Sequence, residues 1–128
     1  MIVFSLLSGD DIDAYAWNRT GKGIVSDVDG NRFGYSVCPS ANCRTLAVGS
    51  RLADGKNGEH AGSVRIYRMD DSEMNWIQIG NDIEGEAASD LSGYLVSLSA
   101  DGNKVAIGSP YNDDNGESSG HVRVFALE

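Results

Sequence analysis

Residues Gly116 to Gly120 read G-x-S-x-G, the sequence of a hydrolase nucleophile elbow, and His121 follows them directly. Such an elbow places its serine on a sharp turn between a strand and a helix. Here an acidic polar stretch precedes the motif and an alternating strand pattern, "HVRVFAL", follows it. Because the surroundings do not fit an elbow, we interpret Ser118 as a loop residue. We predict no catalytic residues and a protein that is not an enzyme.

An internal repeat explains the glycine spacing. "GYSVCPSANCRTLAVGS" (34–50) and "GYLVSLSADGNKVAIGS" (93–109) align without a gap at an offset of about 59 residues. Downstream, "NGEHAGSVRIY" aligns with "NGESSGHVRVF". The first copy therefore has Gly58-Glu59-His60-Ala61-Gly62 where the second has G-x-S-x-G. The glycines belong to the repeat, and Ser118 is incidental.

The composition excludes several classes of function. The chain has 128 residues, 16 glycines, 2 prolines and a formal net charge of -9. A negative surface repels the phosphate backbone, so we expect no nucleic-acid partner. No apolar run approaches the roughly 20 residues that span a bilayer, so we expect no membrane-spanning segment. Cys38 and Cys43 do not have the usual zinc spacing, and we predict free thiols.

Each repeat carries four short strand signals and no helical period. Val105 and Ile107 share one face of a strand, while Ala106 and Gly108 share the other. One bulky face and one small face would let neighbouring sheets stack closely. We therefore predict an all-β fold of β-propeller blades, built as two four-stranded antiparallel meander repeats.

The hairpin between the first two strands of each repeat carries a turn signal. Asp101-Gly102 predicts a two-residue hairpin with positive φ. The first repeat has Cys43 where the second has Gly102. We therefore expect the first turn to differ in type or to be strained.

"RFGYSV...LAVGS" followed by "GSVRIY" resembles the FG-GAP repeat, the blade unit of the integrin alpha-chain propeller. Phe33-Gly34 matches the FG element. Gly49-Ser50-Arg51 and Gly108-Ser109-Pro110 match the GAP element imperfectly, and the second copy has Ser92 where phenylalanine is expected. The resemblance implies a propeller fold and leaves the function open, because one fold hosts many activities.

Many blades of that family hold calcium in a D-x-D-x-D-G loop between the two elements. The corresponding stretches here, "CPSANCRT" and "SLSADGNK", lack those carboxylates. "DVDG" (Asp27 to Gly30) precedes the FG element and offers too few ligands. We therefore predict no metal site and no cofactor.

Acidic residues gather in two kinds of loop that a four-stranded meander places on one side. Loops on a rigid scaffold are where binding residues are usually found. The candidate ligand-binding residues are Asp54, Glu59, Tyr111, Asp113, Asp114 and Glu117.

These loops suggest a non-catalytic binding or adhesion module that presents acidic loops on a propeller face. We expect it outside the cell or on the cell surface, with a protein or glycan as ligand. One alternative is a structural or assembly unit without a specific ligand. Another is a surface protein that binds divalent cations weakly through the acidic loops.

The repeat also predicts how the chain divides. Residues 1–128 form a single propeller segment: 1–20 would be the third and fourth strands of a preceding blade, 27–83 a full blade, and 89–128 a blade lacking its fourth strand. Two blades cannot close a ring, since propellers usually have about 4 to 8. We therefore expect a homo-oligomer or a piece of a longer propeller. The candidate assembly residues are Val3, Phe4, Trp17, Val124 and Phe125.

Overall fold

The computed structural model describes residues 15–26 and 28–128. These residues form eight strands: β1 (Ser36–Pro39), β2 (Thr45–Ser50), β3 (Ser63–Asp70), β4 (Asn75–Gln78), β5 (Ile83–Glu84), β6 (Leu95–Leu98), β7 (Lys104–Ser109) and β8 (His121–Ala126). The described part of the chain contains no α-helix. The fold is all-β and built of propeller blades, as the alternating patterns predicted.

Two antiparallel sheets correspond to the two repeats. The first has the order β1-β2-β3-β4, and the short β5 pairs with the end of β3 that β4 leaves free. The second has the order β6-β7-β8. Within β1–β4 and within β6–β8, each strand pairs with the next along the chain, which is the meander of a propeller blade. We call residues 28–84 the first blade and residues 93–126 the second blade.

The core lies between the two blades. Val105 and Ile107 on β7 pack against Ala47 on β2 and Val64 on β3, and all four are buried. Because side chains alternate along a strand, these contacts join the bulky face of the second blade to the small face of the first. Burial of this apolar surface is the main favourable term holding the blades together.

Gly49 shows how closely the two blades approach. A Cβ atom added there would overlap the backbone oxygen of Gly93 and the Ser36 hydroxyl. The Ser36 hydroxyl donates a hydrogen bond to that same Gly93 oxygen at 2.7 Å. The backbone of one blade therefore lies against the backbone of the next, and only glycine leaves room for it.

The first hairpin turn of each blade has the same shape, so the expected difference in turn type is wrong, and the other expected outcome, a strained Cys43, is the one observed. Cys43 and Gly102 have φ angles of 58° and 75°. Each donates its N–H three residues back, at 2.9 Å, to Ser40 and Ser99 respectively. The Ser99 N–H also donates to the Lys104 carbonyl, so four residues separate the paired ends rather than two.

A side-chain cap explains the shared turn shape. Asn42 Oδ1 accepts hydrogen bonds from the Ser40 hydroxyl and the Arg44 N–H, both at 3.0 Å. Asp101 Oδ1 does the same from Ser99 and Asn103 in the second blade. The cap holds Cys43 in the left-handed region, which costs a non-glycine residue about 1–2 kcal/mol. Cys38 and Cys43 are free thiols.

The strand predicted around Trp17 is not formed in the described chain. Residues 15–20 are irregular and exposed, and the Trp17 side chain is fully exposed. A fourth strand needs a third strand to pair with. Val3 and Phe4, which were predicted to supply it, lie outside the described residues, so the division of the chain at its start stays a prediction.

Candidate functional site

The loops that follow β2 and β7 have matching backbones. Gly58 and Gly116 have φ angles of 134° and 127°, and His60 and Ser118 have φ angles of 55° and 50°. β8 begins at His121, directly after the second loop. Ser118 is therefore a turn residue followed by a strand, and the G-x-S-x-G sequence follows the glycine pattern of the repeat.

Two of the candidate acids close these loops. Asp54 Oδ1 accepts a hydrogen bond from the His60 N–H at 2.9 Å. Asp113 Oδ1 accepts one from the Ser118 N–H at 2.6 Å. In each loop one carboxylate oxygen therefore stabilises a turn with a left-handed residue. The second oxygen of each carboxylate is the one available to a ligand.

The segment between the blades joins both loops into one surface. The N–H groups of Ser89 and Leu91 donate to the carbonyls of Glu59 and His60 at 2.8 and 3.1 Å. We call residues 51–62, 85–92 and 110–120 the rim. The loops after second strands and the segment leading to the next blade thus lie on one side, as the meander predicted.

A buried polar pair fixes the second loop to this segment. Asn112 and Asp90 are buried, and Asn112 Nδ2 donates to Asp90 Oδ2 at 3.0 Å. The same carboxylate accepts the Ala87 N–H, while Asn112 Oδ1 accepts the Asp114 N–H. Buried polar groups are costly unless paired, so this network holds the rim in one arrangement.

A groove of about 390 Å³ runs between the loops of the rim. Tyr111, Asp113 and Glu117 line it from the second loop. The other lining residues are His60, Leu52, Leu91, Ser89 and Ser118. Three of the six candidate ligand-binding residues therefore share one groove, while Asp54, Glu59 and Asp114 lie on the rim outside its lining.

Three tyrosines stand in a row beside the groove. The ring centroids of Tyr35 and Tyr94 are 5.3 Å apart, and those of Tyr94 and Tyr111 are 6.0 Å apart. The guanidinium of Arg51 lies 4.2 Å from the Tyr35 ring centroid. A hydrogen bond with Tyr35 raises the pKa of Tyr94 above its ordinary value. Tyr35 and Tyr111 are about half exposed.

Sequence reasoning named only Tyr111 of this row. Tyr35 and Tyr94 occupy the same repeat position, directly after the glycine that opens "GYSV" and "GYLV". That shared position was the available signal. It could not show that the rings meet, because the contact depends on how the blades stack.

Three further side chains converge at the other side of the second loop. One ligand atom each from Glu86, Asp114 and His121 lie within 4.8 Å of one another. His121 Nδ1 is 3.1 Å from Glu86 Oε1. The prediction of no metal site considered the hairpin turns, the "DVDG" stretch and the two cysteines, and it overlooked this cluster, in which Glu86 comes from a different segment of the chain from Asp114 and His121.

Neighbouring residues on β8 point to opposite faces. Phe125 packs against the core between the blades, whereas 66% of Val124 is exposed. The alternation of side chains along a strand requires this difference. Phe125 is therefore partly buried against the core within the chain, and its assignment to an interface between chains stays a prediction. Val124 remains a candidate.

Comparison with known proteins identifies the repeat. Residues 84–125 match the family model of the FG-GAP repeat. This match covers the segment between the blades, all three strands of the second blade and most of the groove. It supports a propeller-type module of the adhesion class. No curated protein matches the chain. Within the described residues, no helix is long and apolar enough to cross a membrane.

Proposed function

We propose that this chain is a non-catalytic binding or adhesion module whose rim binds a protein or glycan outside the cell or on its surface. The observation that carries the proposal is the groove in which Tyr111, Asp113 and Glu117 converge. The FG-GAP match supports the general class, and the groove supports the location of binding. The structural support is a scaffold that holds the loops rigidly.

The chemistry of the groove suits an amphipathic ligand. An exposed aromatic ring offers an apolar face to a sugar ring or to an aliphatic side chain. Carboxylates beside it accept hydrogen bonds from sugar hydroxyls or from the cationic groups of a protein. The acidic rim would also speed the approach of a partner with a basic face.

The test is a glycan array and a panel of extracellular-matrix proteins, followed by affinity measurements on any ligand that binds. We expect Tyr111→Ala to weaken binding about tenfold or more, because aromatic residues in the centre of a site dominate affinity. Glu117→Gln should weaken it less. Tyr15→Ala is the matched control, since Tyr15 is similarly exposed and lies outside the rim.

Two results would contradict the rim as the binding surface. One is that no ligand binds on the glycan array or in the panel of matrix proteins. The other is a ligand whose affinity for the Tyr111→Ala chain equals that for the unchanged chain, which would place binding elsewhere.

Binding of a divalent cation is a second candidate function, supported by the convergence of Glu86, Asp114 and His121. One imidazole nitrogen with two carboxylates suits Zn²⁺, whereas Ca²⁺ prefers oxygen ligands alone. Zinc binds such ligands at about 2.0–2.2 Å, so a small movement of the side chains would close the site.

Calorimetric titration with Zn²⁺ tests this second candidate. We expect one ion per chain, with His121→Ala abolishing binding. His60→Ala is the control, because His60 also faces a glutamate, with Nε2 3.9 Å from Glu59 Oε1. Equal binding by both variants, or heat that matches the buffer blank, would count against the site.

A further inference from the structure

The second blade exposes an apolar face whose counterpart in the first blade is buried. Leu95, Val122 and Val124 are 66%, 68% and 66% exposed. They flank Ala106 and Gly108, which lie between them on β7. We call these five residues the outer face. Apolar patches of this kind on a rigid sheet mark interaction surfaces.

The first blade shows what covers such a face. Val64 occupies the repeat position of Val122, and it is completely buried against the second blade. Ala47 and Gly49 likewise correspond to Ala106 and Gly108. The outer face is therefore the surface that the repeat uses to receive the bulky face of another blade.

The chain also carries a bulky face without a blade against it. Val37, Leu46 and Val48 occupy the repeat positions of Val96, Val105 and Ile107, which form the bulky face of the second blade. A groove of about 310 Å³ runs along these three residues; Val37 is 53% exposed and Leu46 is partly buried, whereas Val48 is buried. This partly open bulky face and the outer face are complementary in the same way as the two faces that form the core.

Residues 20–24 mark the place of the missing blade. They line the groove along Val37, Leu46 and Val48. Their repeat equivalents, residues 79–83, line the corresponding cavity beside Val105. Residues 79–83 directly follow β4, the outermost strand of the blade that packs there. The segment before the first blade thus lies where the link from a preceding blade belongs.

A second pair of glycines would allow the same close approach of two backbones between copies of the chain. Gly49 and Gly93 meet inside the chain, with a Cβ added at Gly93 3.3 Å from the Gly49 Cα. Their repeat equivalents are Gly108 and Gly34. A Cβ at Gly34 would meet nothing within 4 Å, and one at Gly108 would meet only Leu95, at 3.7 Å. Both positions therefore have room for an approaching backbone.

The free edge of β8 could pair with the segment around Trp17, as the repeat equivalents of these two segments do in the first blade. In the first blade, β3 pairs with β4, and Trp76 lies opposite Met69. The repeat equivalents of these two residues are Trp17 and Leu127. Among the described residues, β8 pairs only with β7, so its other edge presents free backbone groups. Such an edge is a template for another strand.

We propose that the outer face binds the bulky face of a second copy of the chain, in the arrangement by which the second blade covers the first. Gly108 of one copy would lie against Gly34 of the next. Residues 15–20, which form no strand in the single chain, would pair with β8, which then takes the place of the third strand predicted around Val3 and Phe4. The contact is head to tail, so it closes only as a ring. Three or four copies would give about six or eight blades, within the usual range. This surface is separate from the rim and does not depend on ligand binding.

The test is the mass of the chain in solution by sedimentation velocity and light scattering. We expect a species of at least twice the mass of one chain. Gly108→Val should reduce it to the monomer, since the added side chain fits the single chain and blocks the approaching backbone. Val37→Lys should do the same from the other face. Met74→Lys is the control, because Met74 is 62% exposed in the turn after β3 and lies on neither face.

Mixing the two blocked variants separates this contact from other kinds of association. The Gly108→Val chain keeps its bulky face and the Val37→Lys chain keeps its outer face. An equimolar mixture should therefore form a one-to-one heterodimer, although each variant alone is monomeric. Circular dichroism of each variant should match the unchanged chain.

The proposal is overturned if the unchanged chain remains a monomer at its highest soluble concentration, which would assign the outer face to another occupant. It is also overturned if the oligomer survives both substitutions, or if the mixture of variants stays monomeric while the unchanged chain assembles.

Discussion

Val64 and Val122 hold the same position in the two repeats, but their surroundings differ completely. Val64 is 0% exposed and Val122 is 68% exposed. Both lie on a third strand and pair with a glycine of the second strand, Gly49 and Gly108 respectively. The local structure is therefore the same, and the presence of a neighbouring blade alone decides which valine contributes to the core.

The largest expected difference in stability is between substitutions at the two glycines that pair with these valines. Gly49→Val should destabilise the chain by at least about 2 kcal/mol, because a side chain there overlaps the backbone at Gly93 and must separate the blades. Gly108→Val should change the free energy of unfolding by less than about 0.5 kcal/mol in the monomer. Urea denaturation followed by tryptophan fluorescence measures both.

The Val37→Lys chain is the suitable background for these measurements, because it should remain monomeric and give a stability independent of concentration. Similar losses for the two glycine variants would show that the second blade already has a neighbour in solution, or that the blades are not packed as described.

The valine pair should show a smaller difference in the same background. Val64→Ala removes two methyl groups from the closed core between the blades, and we expect a loss of about 1–2.5 kcal/mol. Val122→Ala removes the same atoms from an exposed face and should cost less than about 0.5 kcal/mol. Thermal and chemical unfolding would each record the difference. A comparable cost at both positions would refute the contrast in burial.

The smallest expected effect concerns the two capped turns and depends on pH. Hydrogen bonds from the Asn103 N–H and the Ser99 hydroxyl lower the pKa of Asp101 below its ordinary value. A lowered pKa in the folded state means that the charged cap stabilises the fold at pH values above the unfolded pKa of about 3.9, and that this contribution is lost as the pH falls through the folded pKa. Asn42 caps the equivalent turn without a titrating group.

Amide exchange measured by NMR between about pH 5 and pH 2.5 would reveal the difference across that range. After correction for intrinsic rates, the Asn103 N–H should lose protection on acidification, whereas the Arg44 N–H should keep it. Asp101→Asn should make the second turn behave like the first. Equal acid sensitivity of both amides would mean that the cap does not control the turn.

The repeat made much of this fold predictable. The alternation around Val105 and Ile107 predicted both the strands and the close stacking of blades. The FG-GAP resemblance rests on residues 32–50 and 62–67 and on a second copy at residues 92–110, and the family model matches residues 84–125. The length of the Asp101-Gly102 turn was predicted less well, because the prediction used only the backbone preference of these two residues. The cap by Asp101 and Ser99 depends on side-chain geometry that a dipeptide signal does not include.

The candidate site was predictable only in part. The loops and their acids follow from the meander, and three of the six acid and tyrosine candidates do share the groove. The stack of Tyr35 on Tyr94 and the convergence of Glu86 with His121 were overlooked. Each of these pairs joins residues about 35 to 60 positions apart. Sequence periodicity describes neighbours along one strand, so it cannot predict such contacts before the packing of the blades is known.

The sequence by itself determined the strands, their alternation of bulky and small faces, and the division into two repeats, because these depend on interactions between residues near one another in the chain. Only the tertiary structure decided which copy of each repeated residue is buried. Val64 differs in burial from Val122, and Gly49 from Gly108, according to which face meets a neighbouring blade. The hydrophobic effect depends on the area removed from water, and that area is a property of the packed blades rather than of the residue.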